Sequence, residues 1–239
     1  ASSGLPTKEE LKLLKPLKDY IPTEVFSKTF KPPVTNGSGN PRKNLRYAKQ
    51  ILEEEGWFVE DGKLMKNGEV FKFEFLIISP SDEKIALAFQ KNLEILGITM
   101  DIRTVDTSQY QTRLLNYDFD MIKRYWGVSL SPGNEQQFYW GSEVGKKDGS
   151  RNYAGVDSPA VDALIEKLIS AQSRKELTTA IHALDRVLLW GHYVIPLYHS
   201  NMDRIAYWNF LEYPDEIPLY GIVIDSWWIN QSKQLDITN

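Results

Sequence analysis

The chain has 239 residues, of which 42% are apolar and 25% are charged, a composition typical of a globular protein with one large domain or two small ones. The net charge is −4 and no run of basic residues is longer than two, so we expect no nucleic-acid partner. The absence of cysteine excludes disulfides, thiolate metal sites and cysteine nucleophiles.

The start of the chain shows neither an initiator methionine nor a signal peptide, since it begins at Ala1. No stretch approaches the roughly 20 apolar residues of a membrane span. We therefore expect natural sequence to precede Ala1. Thr7 and Glu10 form a capping box that predicts a helix, which Pro16 ends or kinks. The segment 22–41, rich in proline and glycine, is typical of a surface loop.

The next segments alternate between helix and strand patterns. Asn40 and Pro41 predict the start of a helix that Gly56 ends, with one apolar face consisting of Leu45, Ala48, Ile51 and Leu52. The dipeptides Asp61-Gly62 and Asn67-Gly68 predict the turns of a hairpin, followed by a core strand over 70–78.

The alternation continues to Trp126. Ser81 opens a helix with Ile85, Ala88, Phe89, Leu93 and Leu96 inward, and strand 98–105, helix 107–116 and a short strand over 119–122 follow. Such alternation predicts a mostly parallel α/β layer. The segment 127–155 is polar and rich in aromatic residues, and we expect it to be functional. Two helices follow from Ser158, then a strand-like run over 193–198.

Several short motifs occur in an order that resembles a known family. They are Asn44-Leu45-Arg46-Tyr47-Ala48 with Gly56-Trp57, Asp61-Gly62, Leu96-Gly97-Ile98, Phe119-Asp120-Met121 before Tyr125-Trp126, Asn152-Tyr153-Ala154-Gly155, and Val194-Ile195-Pro196-Leu197-Tyr198. Together they resemble the carboxyl-terminal lobe of family 5 extracytoplasmic solute-binding proteins, the oligopeptide and dipeptide type. The stretch 129–135 and the opening 1–6 are most similar to the branch typified by the binding protein of the Yej peptide importer.

The resemblance implies an α/β fold, the carboxyl-terminal lobe of a two-lobed periplasmic-binding-protein-like receptor of the large class II peptide-binding type. It implies a ligand-binding lobe over 1–199 and a tail over 200–239 that crosses back to an amino-terminal lobe. The aromatic residues expected to meet that lobe are Tyr207, Trp208, Phe210, Tyr213, Tyr220, Trp227 and Trp228. Large exposed aromatic patches normally find a partner.

The implied function is non-catalytic: capture of short peptides or peptide-like conjugates in the periplasm and delivery to an ABC permease in the membrane, with no cofactor and no metal. Two alternatives stay open, an oligosaccharide receptor of the same fold and a protein-interaction module that docks through its aromatic tail. The residues expected to bind the ligand are Tyr125, Trp126, Gly127, Ser129, Asn134, Arg151, Asn152 and Tyr153.

Residue types give reasons for these choices. Aromatic faces offer large contact area with little rotamer entropy to lose, so Trp126, Tyr139, Trp140 and Tyr153 are candidates to stack on ligand side chains or sugars, Trp126 first among them. Arg151 either pairs with a peptide carboxylate or stays solvated. In the family an aspartate after the cleft tryptophan holds the ligand's ammonium group, and Ser129 stands there in this chain. A serine does not neutralise a buried cation, so we expect a ligand with a blocked or distant amino group unless Glu135 or Asp120 substitutes.

Catalytic and metal-binding patterns are not supported by the spacing of the candidate residues. The three histidines, His182, His192 and His199, match no metal-binding or metalloprotease spacing. The second glycine of a nucleophile elbow is replaced by Ser131, and Asp148-Gly149-Ser150 lacks the rest of a calcium loop. No carboxylate pair is singled out for glycoside hydrolysis.

Overall fold

The computed structural model describes residues 1–126, 131–197, 202–219 and 221–235. It divides into two units, residues 1–194 and 195–239, and each is described by itself. The first part of unit 1 contains α1 (Lys8–Leu14), a 3-10 segment (Lys15–Tyr20), α2 (Glu24–Ser27), α3 (Arg42–Glu54), β1 (Phe58–Glu60), β2 (Lys63–Lys66), β3 (Glu69–Val70) and β4 (Lys72–Ile77). It continues with α4 (Pro80–Ile95), β5 (Thr99–Thr104), α5 (Thr107–Leu115), β6 (Met121–Ile122), α6 (Glu135–Trp140), α7 (Ser142–Gly145), α8 (Pro159–Ile169) and α9 (Arg174–Trp190).

A parallel sheet with strand order β5-β4-β6 forms one centre of unit 1. The side chains of β4 alternate between its two faces. Phe75 and Ile77 pack with Ala86 of α4 on one face, and Leu76 packs with Leu114 of α5 on the other. Helices therefore cover both faces, and the predicted mostly parallel α/β layer is confirmed.

A second sheet, antiparallel and with strand order β1-β2-β3, directly precedes the parallel sheet in the sequence. Its turns use Asp61-Gly62 and Asn67-Gly68, all four residues at positive φ, which confirms the predicted hairpin. The N–H of Leu64 donates to the carbonyl of Gly97 at 2.7 Å. A Cβ at Gly97 would lie 2.8 Å from that nitrogen, so the approach of β2 requires glycine.

The largest cluster of buried apolar side chains joins α1, α2, α8 and α9. Its fully buried members include Leu14, Val25, Val161 and Leu164. Ser158 and Ser173 cap α8 and α9 through their hydroxyls, and Pro159 occupies the first turn of α8. This confirms the predicted helical pair, and α1 packs along it.

A buried ion pair fastens α1 to α9. The capping box predicted at Thr7 and Glu10 is confirmed, and the same Glu10 carboxylate accepts from Nε of Arg186 at 3.0 Å. Arg186 also donates to the main-chain carbonyls of Ser3, Gly4 and Leu5. Both charged side chains are buried, and their remaining hydrogen-bonding groups have partners, as buried charges require.

Some sequence expectations for residues 1–197 are wrong. Ile51 and Ala88 were expected to face inward, but both are exposed. The buried faces of α3 and α4 are therefore narrower than the apolar residues of these helices suggest. The expected loop 22–41 contains the short helix α2. In the run predicted as a strand over 193–198, residues 193–197 form none: Val194, Ile195 and Leu197 are exposed, and no described strand supplies the ladder that such a run needs. Tyr198 lies outside the described residues.

Unit 2 contains β7 (Leu211–Glu212), a 3-10 turn (Ile224–Ser226), β8 (Trp228–Ile229) and α10 (Gln231–Leu235). β7 and β8 pair antiparallel, and Tyr207, Tyr213 and Trp227 make mutual ring contacts with centroids 5.0–5.7 Å apart. None of the helices in the described parts of the chain has the length and apolar character needed to cross a bilayer.

Candidate functional site

The strand order of the parallel sheet locates a natural crevice. The chain passes from β4 through α4 to β5 on one side, and β6 then lies on the other side of β4. Ligands of open α/β sheets bind outside the carboxyl ends of strands at such a reversal of strand order. Residues 123–126, directly after β6, therefore occupy the position where a ligand site is expected.

A buried ion pair joins the carboxyl end of β6 to the start of α4. The ammonium group of Lys123 contacts the carboxylate of Asp82 in the first turn of α4, and both side chains are largely buried. Burial raises the pKa of Tyr110, so its phenol stays protonated and donates to the carbonyl of Lys123 at 3.2 Å. The pair is thus a fixed support beneath the crevice.

The predicted ligand residue Trp126 stacks on Trp140. The two ring centroids are 5.4 Å apart at an interplanar angle of 23°, which is an offset-stacked pair. Among the described residues, no hydrogen-bond partner is found for the buried indole nitrogen of Trp126. Tyr125 is largely exposed, and the Lys123 ammonium lies 5.6 Å from its ring centroid. The structure thus places an indole pair beside an exposed phenol.

The predicted ligand residue Tyr153 contacts Arg124, which precedes Tyr125 and Trp126 in the segment after β6. The guanidinium carbon of Arg124 is 4.8 Å from the centroid of the Tyr153 ring, a cation–π contact. The ring packs with Tyr117 and Phe119, at centroid distances of 6.2 and 6.5 Å. The segment after β6 and the segment 140–153 therefore form one aromatic and basic surface.

Asn152 lies beneath that surface and is 1% exposed. Its amide nitrogen donates to the carbonyls of Gly141 and Val156 at 3.1 and 2.8 Å, and its amide oxygen accepts from the N–H of Val156 at 2.9 Å. A Cβ at Gly145 would lie 2.8 Å from this amide nitrogen. Asn152 therefore connects the α6–α7 junction to the loop that carries Tyr153. Its expected contact with a ligand stays a prediction.

The remaining predicted residues divide into two groups. Asn134 and Arg151 are exposed, and Asn134 precedes the first turn of α6. Gly127 and Ser129 lie outside the described residues. The ligand roles of all four stay predictions.

The two acids considered as alternatives to the family's aspartate both accept hydrogen bonds from main-chain N–H groups. Asp120 accepts from the N–H of Glu74 at 2.8 Å, and Glu135 accepts from the N–H of Gly133 at 2.9 Å. Burial acts to raise the pKa of Glu135, but hydrogen bonds from Gly133, its own N–H and Gln136 together hold that pKa below its usual value. Glu135 is therefore an ionised carboxylate beside α6.

Other candidate chemistry lies elsewhere. Nδ1 of His182 is 3.3 Å from Oε1 of Glu10, and His192 is exposed after α9, while His199 is outside the described residues. Within those residues no group of three or more histidines and carboxylates is arranged for a metal ion. In unit 2 a cavity of about 200 Å³ is lined by Tyr207, Tyr213 and Trp227 among others.

Arg124 was missed by the sequence reasoning, and Trp140 was considered as a stacking candidate but not chosen as a ligand residue. Arg124 is a charged residue at the carboxyl end of a parallel strand, and that position was a usable signal. Trp140 lies 14 residues beyond its partner, and only the folded path of α6 brings it there.

The profile of the bacterial extracellular solute-binding proteins, family 5 (middle region), matches residues 12–148. A probable peptide-binding protein of Agrobacterium fabrum, YejA, is 44% identical over 95% of this chain and 38% of its own length. The peptidoglycan-binding protein YepA of the same organism is 41% identical over 92% of this chain and 36% of its own length. The resemblance to the Yej-type branch is confirmed.

A solved structure supports the fold. The oligopeptide-binding protein AppA of Bacillus subtilis, in complex with a nonapeptide, has a TM-score of 0.57 at 24% identity, over 77% of this chain and 38% of AppA. The chain thus spans well under half the length of these relatives, which agrees with part of a two-lobed receptor. Because the profile matches more than half of its residues, this chain belongs to the family 5 bacterial extracellular solute-binding proteins.

Proposed function

We propose that the protein is the ligand-capturing component of an ABC importer and binds short peptides or peptide-like conjugates outside the cytoplasm, in the periplasm. The observation that carries this proposal is the 44% identity, over 95% of the chain, to a probable peptide-binding protein. The aromatic and basic surface after β6 supports it, because it lies where open α/β sheets bind ligands.

The mechanism we propose is capture without catalysis. This chain supplies one wall of the cleft, an amino-terminal lobe of the same protein supplies the other, and hinge closure buries the ligand before a membrane permease recognises the closed form. Stacked rings such as Trp126 and Trp140 offer adaptable contact to varied side chains. We expect the exposed aromatic residues of unit 2, Tyr207, Trp208, Tyr213 and Trp228, to meet the second lobe. Of the other aromatic residues expected there, Phe210 and Trp227 are half-buried and Tyr220 lies outside the described residues.

A thermal-shift screen of the intact two-lobed protein tests this function, because a ligand bound only by the native state raises the melting temperature. The panel consists of free peptides, amino-blocked peptides and oligosaccharides. We expect shifts with peptides. A shift with oligosaccharides alone would leave the fold intact and replace the function with sugar capture.

A second candidate ligand class is peptide joined to amino sugar. The 41% identity to a peptidoglycan-binding protein favours it, and stacked indoles are suited to the apolar faces of sugar rings. Soluble peptidoglycan fragments, with and without their peptide, added to the same screen separate the two classes. Tighter binding of the fragment than of its isolated peptide would assign the sugar a share of the affinity.

The state of the ligand's amino group is a finer part of the proposal. Ser129 replaces the family's aspartate, so we expect an amino-blocked ligand, unless the ionised Glu135 pairs with a free ammonium group. Calorimetry with a peptide and its formylated twin measures the preference. Clearly tighter binding of the free peptide contradicts the blocked-ligand hypothesis, and loss of that preference in Glu135→Gln would identify the substitute acid.

A further inference from the structure

The two Asn-Gly pairs of the chain lie in different structural settings. Asn67-Gly68 forms the tight turn between β2 and β3, with φ angles of 53° and 83°, and the pairing of Lys66 with Glu69 encloses it. Asn36-Gly37 lies in the segment 31–40, in which every residue is exposed. Within the described parts of the chain, this segment has no helix, no strand and no hydrogen bond between main-chain groups. The strands therefore hold Asn67-Gly68 in place, whereas only side-chain hydrogen bonds hold Asn36-Gly37.

The side-chain carbonyl of Asn36 accepts two hydrogen bonds. Its Oδ1 accepts from the main-chain N–H of Ser38 at 3.1 Å and from the Ser38 hydroxyl at 2.6 Å. Such donors stabilise the negative charge that a carbonyl oxygen gains when a nucleophile adds to its carbon. The nucleophile that the chain itself supplies is the main-chain nitrogen of Gly37, whose bond to Cγ of Asn36 closes a five-membered ring. Glycine has no side chain to hinder this approach.

The charge of the surrounding segment favours the same attack. Residues 31–46 contain no Asp or Glu and four basic side chains, all exposed, which are Lys31, Arg42, Lys43 and Arg46. The attacking nitrogen must first lose its proton, and nearby positive charge stabilises both that anion and the oxyanion formed after it. Asn67 is instead flanked by Lys66 and Glu69, whose charges oppose each other. The electrostatic contribution thus acts mainly at Asn36.

We propose that Asn36-Gly37 is a site of spontaneous covalent modification, at which the folded protein converts Asn36 to aspartate and isoaspartate while Asn67 stays unchanged. The Gly37 nitrogen gives its proton to solvent and bonds to Cγ of Asn36, and the side-chain nitrogen leaves as ammonia with a proton from water. A water molecule then opens the cyclic imide. Cleavage of the new bond to Cγ yields aspartate, cleavage of the original peptide bond yields isoaspartate, and the Gly37 nitrogen regains a proton in both cases.

The hairpin protects the other pair, because ring closure requires rotation about the Cα–C bond of the asparagine. At Asn67 this rotation would take the residue out of its left-handed turn conformation and would open the pairing of Lys66 with Glu69. No strand pairing opposes the same rotation at Asn36. The rates at the two sites should therefore differ by the cost of opening the hairpin locally. Conversion at Asn36 also gives the basic segment 31–46 its first carboxylate.

The experiment is an incubation of the intact two-lobed protein in water enriched in heavy oxygen. Each conversion takes one oxygen from water, so the peptide becomes about 3 Da heavier and is distinguished by mass spectrometry from protein converted earlier. The variants are Gly37→Ala, Ser38→Ala and, as the matched control that keeps the hydroxyl, Ser38→Thr. A sample unfolded in urea shows the rates at both asparagines without the fold.

We expect Asn36 to convert at least about 10-fold faster than Asn67 in the folded protein, and the two rates to become similar in urea. Ser38→Ala should slow conversion at Asn36 by about 2- to 10-fold, the rate equivalent of one hydrogen bond, and Ser38→Thr should not slow it. Gly37→Ala should slow it further than Ser38→Ala, because a Cβ hinders the attack. No heavy oxygen at Asn36, equal rates at both asparagines in the folded protein, or an unchanged rate in Ser38→Ala would overturn the inference.

Discussion

The two units of the chain treat their apolar side chains differently. Every buried apolar side chain in the described residues belongs to unit 1, from Leu14 to Val187. In unit 2, Leu219 is 90% exposed, Ile224 is 73% exposed and Trp208 is 66% exposed. Unit 1 therefore has the core of an independent domain, whereas unit 2 is held by ring contacts and polar side chains and presents apolar surface suited to a partner.

The largest expected effect tests whether unit 1 depends on its buried charges. Arg186→Met removes the partner of the buried Glu10 and the donor to three main-chain carbonyls. An uncompensated buried charge costs about 3–5 kcal/mol, measured as the free energy of unfolding in urea. Arg174→Met, exposed on the same helix, should change stability by less than about 0.5 kcal/mol.

The double variant Arg186→Met with Glu10→Gln sharpens this result, because it removes both charges. It should recover part of the stability that Arg186→Met loses. If the single variant unfolds no more easily than the unchanged protein, the ion pair does not hold α1 against α9.

The same substitution in each unit tests the comparison itself. Leu164 is fully buried and Leu219 is 90% exposed, so Leu164→Ala should lower the free energy of unfolding by about 3 kcal/mol. Leu219→Ala should change it by less than about 0.5 kcal/mol. Equal effects in urea unfolding of the 239-residue chain would show that unit 2 has a core of its own.

A smaller effect is expected at the support of the candidate site. Asn152→Ala leaves the carbonyl and the N–H of Val156 without the partner they have in the structure, and the carbonyl of Gly141 keeps only the N–H of Gly145, so the substitution should cost about 2–3 kcal/mol. Near-ultraviolet circular dichroism should lose the signal of the stacked Trp126 and Trp140. An unchanged spectrum would show that Asn152 does not hold Trp140 in position against Trp126. The control is Asn134→Ala, a substitution of an exposed asparagine.

The smallest effect is a pH response of unit 2. The hydrogen bond from Lys233, with others from Asn230 and Trp228, holds the pKa of Glu212 below its ordinary value of 4.5. Because that pKa is lowered in the folded state, the stabilisation is present above pH 4.5 and is lost as the pH falls through the lowered pKa. The indole N–H resonance of Trp228, which donates to Glu212, should shift in this range. Glu212→Gln should show no such shift.

The elements that sequence predicted well are specified by neighbouring residues. The capping box needs only Thr7 and Glu10, and the hairpin turns need only Asp61-Gly62 and Asn67-Gly68. The inward faces of α3 and α4 were predicted less well, because the apolar residue type of Ile51 and Ala88 does not show whether another element packs on them, and both are exposed. The absent strand at 193–197 has the same cause, since a strand requires a neighbour.

Sequence reasoning could choose single residues of the candidate site from local motifs, but it could not predict the contacts between them. Trp126 and Tyr153 were chosen because they lie in short motifs next to a strand or a glycine, and their ligand roles stay predictions. The contacts Trp126–Trp140 and Arg124–Tyr153 depend on the folded path between β6 and α8, which no local pattern specifies. Likewise Glu10 and Arg186 are 176 positions apart, and the sequence around each residue does not predict that they pair.

The hydrogen bonds that Arg186 makes to the first residues of the chain also have a mechanical consequence. Its guanidinium bonds the carbonyls of Ser3, Gly4 and Leu5 while its Nε bonds Glu10, so four contacts share any load that enters through the first residues. Tension applied at Ser2 therefore reaches α9, a helix of 17 residues, before it can unwind α1. In a pulling experiment the amino-terminal segment should behave as a stiff tether point, and its rupture should coincide with the loss of the α1–α9 packing.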